Sequence, residues 1–371
     1  MNDPSYYSLK LLKVCGLHPN SNNKLLNVYF VVNYSCFLAI LTLAIIGISK
    51  TYDSNVFEAI ENLQTVFLYI HVSNRFFFTL DCFFQLLGKY PTLFFKKKTL
   101  KELLERQKQF WPIDNVEPKL AKKFDQILTN TTKFIRYFII VTFLVIMNFF
   151  LQPILTGDLP VRVYVPSGWF HYINSVYWYL IPVIIGSIYG SDLIFCSLCV
   201  PVIIQFQLLA HKFEKFKPQQ LKKLVDYHNF LIKYCNDLNK YIEPIFLNQV
   251  IVATAIICMQ LFIVSQKEFL LPNKLKCLGY CFGEVIETAI YCFNAEMISD
   301  AAEKVGIAVY NSQWYKVPRK SVVLVIAKTQ KKVVFNGLGL VAINLKTFTQ
   351  IFKTALSFYS YLNTMVAFEK N

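Results

Sequence analysis

Few side chains in this 371-residue chain have types and spacing suited to reactive chemistry. Cys196 and Cys199 form a Cys-x-x-Cys pair, a spacing that redox pairs and zinc ligands use. They sit inside an apolar run, so packing as small side chains is the expected role. Cys277 and Cys281 have a spacing open to a disulfide or to one face of a helix. Glu284 and Glu287 are the odd residues of an otherwise apolar segment. They either draw cations toward a wet vestibule or pair with lysines such as Lys274 and Lys276. His71 is suited to donating a hydrogen bond or sensing pH, with a satisfied packing role as the alternative. The chain carries no phosphate-binding glycine loop, no Gly-x-Ser-x-Gly, no His-Glu-x-x-His and no metal cluster. No catalytic residue, metal or cofactor is expected, and the chain does not read as an enzyme.

The elements that must position these residues are apolar blocks. Hydrophobic residues make up 55% of the chain, and its mean hydropathy is +0.40. A bilayer-crossing helix needs about 20 apolar residues, and seven such segments run over 27–49, 63–87, 133–153, 175–206, 246–266, 275–298 and 346–367. The second and sixth carry the most polar interruptions. The start, MNDPSYYSLKLLKVCGLHPN, lacks a sustained apolar stretch and a small-residue cleavage site, so the first span is expected to act as its own insertion signal. The formal charge of +15 fits lysines in cytoplasmic loops meeting anionic headgroups. Nucleic acid is not expected as a partner, because no finger, basic helix or RNA-binding signature is present.

The distribution of basic residues orients the spans. The N-terminal segment and the even-numbered loops hold 27 Lys and Arg, and the odd-numbered loops with the C-terminal tail hold 6. Lys89, Lys96, Lys97, Lys98, Lys101 and Arg106 contribute to the second loop. Basic residues favour the cytoplasmic side, so the N-terminus is expected inside and the C-terminus outside. That is opposite to a G-protein-coupled receptor, and no Asp-Arg-Tyr follows the third span. Of two glycosylation sequons, Asn130 falls on the cytoplasmic side and Asn33 within the first span, so neither is expected to be modified.

The expected architecture is an all-α membrane protein with helical extensions that form a cytoplasmic anchor module. Its parts are an N-terminal segment 1–26, spans one to four over 27–206 with a basic loop 88–132, and a helical extension 207–245. Spans five and six follow over 246–298, then anchor helices 299–345 and a final span with a short extracellular tail, 346–371. Leu224, Tyr227, Leu231, Tyr234, Leu238 and Tyr241 recur at helical spacing, so the fourth and fifth spans should continue as helices beneath the bilayer. Their stripe needs partners, either in neighbouring subunits or in a subdomain packed within the chain. The glycines of NGLGL at 336–340 should break the helix before the final span, as a hinge or re-entry point. That span is unusually polar, with Gln350, Lys353, Thr354 and Ser357. A lysine at mid-bilayer costs roughly 2.5–3.5 kcal/mol, so lining a pore is the favoured role, with helix packing through small polar residues as the alternative.

At this point the residues resemble the insect odorant receptor family over the whole chain. LLKVCGLHP resembles the family's start, and SDLIFCSLCVPVIIQFQLLAHKF at 191–213 its fourth helix. DYHNFLIKYCNDLN resembles its His motif, AIYCFNAEMISDAAEKVGIAVYNSQWY its sixth helix, and KTALSFYSYLNTM its seventh. The resemblance implies an odorant-gated, non-selective cation channel, in which a tuning subunit assembles with a shared co-receptor into a heterotetramer around one pore. It further implies a plasma-membrane location, in the dendrites of olfactory neurons. Volatile small ligands would bind in the outer half of the bundle, between helices two and six. Carried onto this chain, the pocket candidates are Phe67, Ile70, His71 and Asn74, then Val145, Asn148 and Phe149. Tyr177, Trp178, Ile181 and Ile184 follow on the fourth span, with Tyr280 and Glu284 on the sixth. Core packing is the competing role for each. The family's gate, an apolar constriction near the outer end of the last helix, corresponds to Tyr361 and Met365, with Leu362 as a register alternative. A gustatory receptor of the same superfamily and a membrane transporter are the alternative readings.

Overall fold

The computed structural model describes residues 4–20, 24–51, 74–113, 116–156, 165–266, 271–316, 319–330 and 332–369. Side-chain detail stops short of some helical stretches, among them 74–83, 148–150 and 365–369. Phe67, Ile70 and His71 lie outside the described residues.

Among the described residues, ten helices follow one another, interrupted by a single small hairpin. They are α1 (Ser5–Val14), α2 (Lys24–Thr51), α3 (Asn74–Phe95), α4 (Lys97–Gln107) and α5 (Pro118–Thr156). Then come α6 (Phe170–Glu214), α7 (Leu221–Ser265), α8 (Leu271–Tyr310), α9 (Arg319–Thr329) and α10 (Leu345–Glu369). The hairpin pairs β1 (Asn336–Gly337) with β2 (Val341–Ala342). Seven of the helices, α2, α3, α5, α6, α7, α8 and α10, overlap the apolar segments of the sequence, with 63–73 of the second segment outside the described residues. Within four of these regions (Lys24–Leu43, Pro118–Leu144, Phe170–Glu214 and Pro218–Ser265), length and hydropathy suffice by themselves to cross a bilayer. The others carry the polar residues that make their apolar runs discontinuous. The molecule is thus an all-α, multi-pass membrane protein.

The bundle is organised around α6. Its window is 89% buried, against 22% for α2 and 17% for α5. That contrast separates a central helix, apolar all round, from helices with one face left for lipid. At 45 residues each, α6 and α7 run far past a bilayer's thickness, about 1.5 Å per residue. Their lower halves form a subdomain with α4, α8 and α9. The stripe Leu224, Tyr227, Leu231, Tyr234, Leu238 and Tyr241 is buried throughout. It packs inside the chain: Tyr227 stacks on Trp111 and Tyr234 meets Phe110 edge-on. The partners of this stripe are therefore intramolecular, and neighbouring subunits are not needed to cover it. Each large apolar side chain so buried contributes roughly 1.5–3 kcal/mol.

Two short elements pack against the long helices α6 and α7. Helix α1 lies along α6 where Gly186 and Gly190 leave room for it. A Cβ at Gly186 would stand 2.5 Å from Cys15 Sγ, and one at Gly190 2.9 Å from Leu12 Cδ2. The Ser8 and Ser197 hydroxyls share a 2.9 Å hydrogen bond beside them. The break expected at NGLGL is a tight hairpin. Leu338 and Gly339 both have positive φ, as mirror-image hairpin turns require. Leu340 N–H donates to Gly337 O at 3.0 Å. Asn239 Oδ1 on α7 accepts from Asn336 N–H at 2.8 Å, which ties the hairpin to the helix.

Candidate functional site

On the N-terminal half of α6, helical geometry sorts the pocket candidates. Tyr177, Ile181 and Ile184 are spaced for one face; the first two are buried and Ile184 is half-buried. Trp178, rotated by about 100° from Tyr177, lies on an exposed face. Two buried polar atoms on this stretch have no hydrogen-bond partner among the described residues, Asn174 Oδ1 and Tyr177 Oη. They are three residues apart and thus one above the other on the helix. An unmet buried hydroxyl costs about 1–3 kcal/mol, which a ligand's polar group would recover. Asn74 opens α3, and Val145, Asn148 and Phe149 lie on α5, with their side chains outside the described residues.

Further toward the C-terminal end of α6, four helices converge on a buried polar cluster. Tyr280 on α8 is half-buried, and Glu284, one turn on, is buried. The Glu284 carboxylate accepts from Gln85 Nε2 of α3 at 2.6 Å and from Gln249 Nε2 of α7 at 3.2 Å. One turn beyond, Lys89 Nζ donates to Glu287 Oε2 and to Asp192 Oδ1, both at 3.1 Å. The Tyr291 hydroxyl donates to the same Asp192 oxygen. Lys89 and Asp192 are completely buried. One lysine therefore faces three carboxylates where water does not reach.

This corrects two expectations. Glu287 pairs with Lys89, and Glu284, buried, is held by glutamines rather than facing a wet vestibule; the side chain of Lys276 lies outside the described residues. Lys89 is also not a loop lysine, so the cytoplasmic tally of basic residues falls from 27 to 26. The sequence did contain a sign of this. Leu86, Tyr90 and Leu93 continue the helical apolar spacing past Lys89, and all three are buried.

A second buried network lies between α2, α3 and α6. The Tyr179 hydroxyl donates to Asn33 Oδ1 at 2.6 Å, and Asn33 Nδ2 donates to the Tyr90 hydroxyl at 3.1 Å. Asn33, the sequon asparagine of the first span, is 2% exposed and engaged through both ends of its amide. Cys277 and Cys281 are free thiols, as are the buried Cys196 and Cys199.

Helix α10 has two unlike faces. Ile351 and Ala355 are buried, and with Leu362 they pack against Ala253, Ile257 and Cys258 of α7. About half a turn away, Gln350, Lys353, Ser357, Tyr361 and Thr364 form an exposed stripe. Thr354 sits half-buried at its edge. Tyr361 is thus on the bare polar face, whereas Leu362 turns toward α7. Met365 lies on α10 with its side chain outside the described residues.

Comparison with known proteins gives a consistent result. The profile of the 7tm Odorant receptor family matches residues 55–356. Odorant receptor 85c of Drosophila melanogaster is 23% identical over 309 residues, which cover 74% of this chain and 77% of that protein. Putative odorant receptor 85d of the same species is 24% identical over 56% of this chain, a match spanning 54% of that relative's length. Among solved structures, the olfactory receptor OR5 from Machilis hrabei in complex with eugenol superposes with a TM-score of 0.78 at 14% identity. The superposition covers 96% of this chain and 97% of that one, so the two share their fold.

Proposed function

The chain belongs to the 7tm odorant receptor family, and from that premise we propose that it is the odorant-binding subunit of a ligand-gated, non-selective cation channel. It is a multi-pass membrane receptor rather than an enzyme. In the proposed arrangement seven helices cross the plasma membrane of olfactory neurons, with the N-terminus cytoplasmic and the C-terminus extracellular. The excess of basic residues, 26 against 6, supports that orientation. A shared co-receptor completes a heterotetramer, with the cytoplasmic helices as the assembly surface.

The observation that carries the channel reading is the polar stripe of α10. A helix packed on α7 by its apolar side, with Gln350, Lys353 and Ser357 bare on the other, is costly against lipid and natural against water. Four subunits would bring such stripes around a common axis. Tyr361, and Met365 one turn on, would narrow the pore's outer end, where apolar groups block hydrated ions by dewetting.

Ligand would enter the outer half of the bundle, against Tyr177, Ile181, Ile184 and Tyr280 on α6 and α8. The remaining wall would come from Phe67, Ile70, His71, Asn74, Val145, Asn148 and Phe149. An odorant that binds the open state more tightly shifts the population toward conduction. Co-expression with a co-receptor, read as cation current across an odorant panel, tests this reading. Odorant-evoked current that needs both chains supports it; ligand-coupled uptake without current contradicts it.

A further inference from the structure

Away from the odorant path, a cleft of about 480 Å³ opens where α5, α6 and α7 end or begin. One wall is rigid. Trp111 N–H donates to the Tyr227 hydroxyl, that hydroxyl donates to Gln205 Oε1, and Gln205 Nε2 returns a hydrogen bond to Trp111 O. The Trp111 ring lies 3.7 Å from the Tyr227 ring at an interplanar angle of 8°. Lys212 Nζ stands 5.1 Å from the centre of the same indole. Both faces of Trp111 are therefore covered.

The charge in this cleft is unbalanced. Lys212, Lys215 and Lys223 line it, and the carboxylate in its lining, Glu117, is engaged with Lys215. Lys212 and Lys223 have no carboxylate within ion-pair distance among the described residues. The N-terminal ends of α5 and α7 also border the cleft, through Glu117 and Lys223. Helix N-termini add partial positive charge to the lysines.

We propose that this cleft is a binding site for a compact, phosphate-rich anion from the cytosol, of the inositol polyphosphate class, which clamps the cytoplasmic ends of the three helices together. Lysine ammonium groups suit phosphate oxygens as point charges. A nucleotide base has no open aromatic face on which to stack. On the span bounds expected from the sequence, Lys212 lies six residues past the end of the fourth span at 206, about 9 Å along α6, so the second arm of the test below separates a soluble anion from a lipid headgroup.

The test uses the full-length chain in nanodiscs of neutral lipid, with inositol hexakisphosphate as the probe and calorimetry as the readout. Saturable binding is expected, weaker at high salt and weakened roughly tenfold for each of Lys212→Gln and Lys223→Gln. Lys223 is exposed, so K223Q alone carries the test if K212Q is poorly folded. Lys332→Gln, on a residue outside the cleft, should leave affinity unchanged. No binding by the wild-type chain overturns the proposal, as does binding that K223Q leaves untouched. In a second arm, nanodiscs containing phosphatidylinositol 4,5-bisphosphate are compared with neutral ones. Protection of the cleft lysines from acylation by that lipid, and not by the soluble probe, would overturn the assignment to a cytosolic anion.

Discussion

At the scale of single residues, two side chains have roles that their neighbours dictate. Tyr177 Oη is buried without a partner among the described residues, so on the proposed function an odorant carrying a hydroxyl or carbonyl should gain from it. Tyr177→Phe is expected to raise the half-maximal concentration of oxygen-bearing agonists by roughly threefold to tenfold, the worth of one neutral hydrogen bond. Hydrocarbon agonists should be unaffected; an equal shift for both classes would make Tyr177 a packing residue. Lys89 is the second case. Its removal leaves Asp192 and Glu287 buried without their cation, and breaking such a pair costs about 3–5 kcal/mol. Lys89→Met should lower the thermal unfolding midpoint and surface expression together. Adding Asp192→Leu and Glu287→Leu should recover part of the loss, because a fully apolar cluster carries no orphaned charge. Lys89 was hard to recognise because a lysine at the edge of an apolar run has the composition of a loop. Only the convergence of α3, α6 and α8 in space reveals its carboxylates. Trp178, a pocket candidate by resemblance, lies one residue's rotation from Tyr177 and is 40% exposed.

Elements with a strong period were legible, and elements without one were not. Six apolar residues at helical spacing announced the N-terminal half of α7, and all six are buried. The hairpin at 336–342 has strands of two residues each, too short for any alternation, so only its glycines marked a break. Helix α1 has a modest apolar face, and its seat on Gly186 and Gly190 depends on close approach that no local pattern encodes. Gly186→Leu should therefore displace α1, read as faster hydrogen exchange across residues 5–14. On α7, His228 is 5% exposed beside the edge of Phe206. Burial, aided by the Lys328 charge, pushes its pKa down to about 4 from 6.5. The unfolded chain then binds the extra proton between those values, so stability is full above pH 6.5 and is lost as pH falls toward 4. Thermal midpoints of solubilised protein from pH 7.5 to 4.5 should fall, and His228→Gln should flatten the slope. An unchanged slope would assign the pH dependence to other groups.

At the scale of the whole molecule, the fold is a core helix, α6, with outer helices that differ in what they leave uncovered. The bare faces of α2 and α5 are apolar, as lipid requires, whereas α10 adds to its exposed Leu356 and Phe358 a stripe of exposed polar side chains. On the proposed function, that stripe faces a water-filled axis shared between subunits. Composition revealed the polarity of the last span, and helical geometry placed most of it on one side, opposite Ile351 and Ala355. The central claim is that this stripe meets the ion path. The most direct measurement is the reversal potential of odorant-evoked current, with the co-receptor present, for wild type and Ser357→Lys. A lysine facing the pore should shift cation permeability against calcium and reduce conductance while leaving the odorant dose response in place. An unchanged reversal potential and conductance at normal surface expression would show that α10 does not line the path.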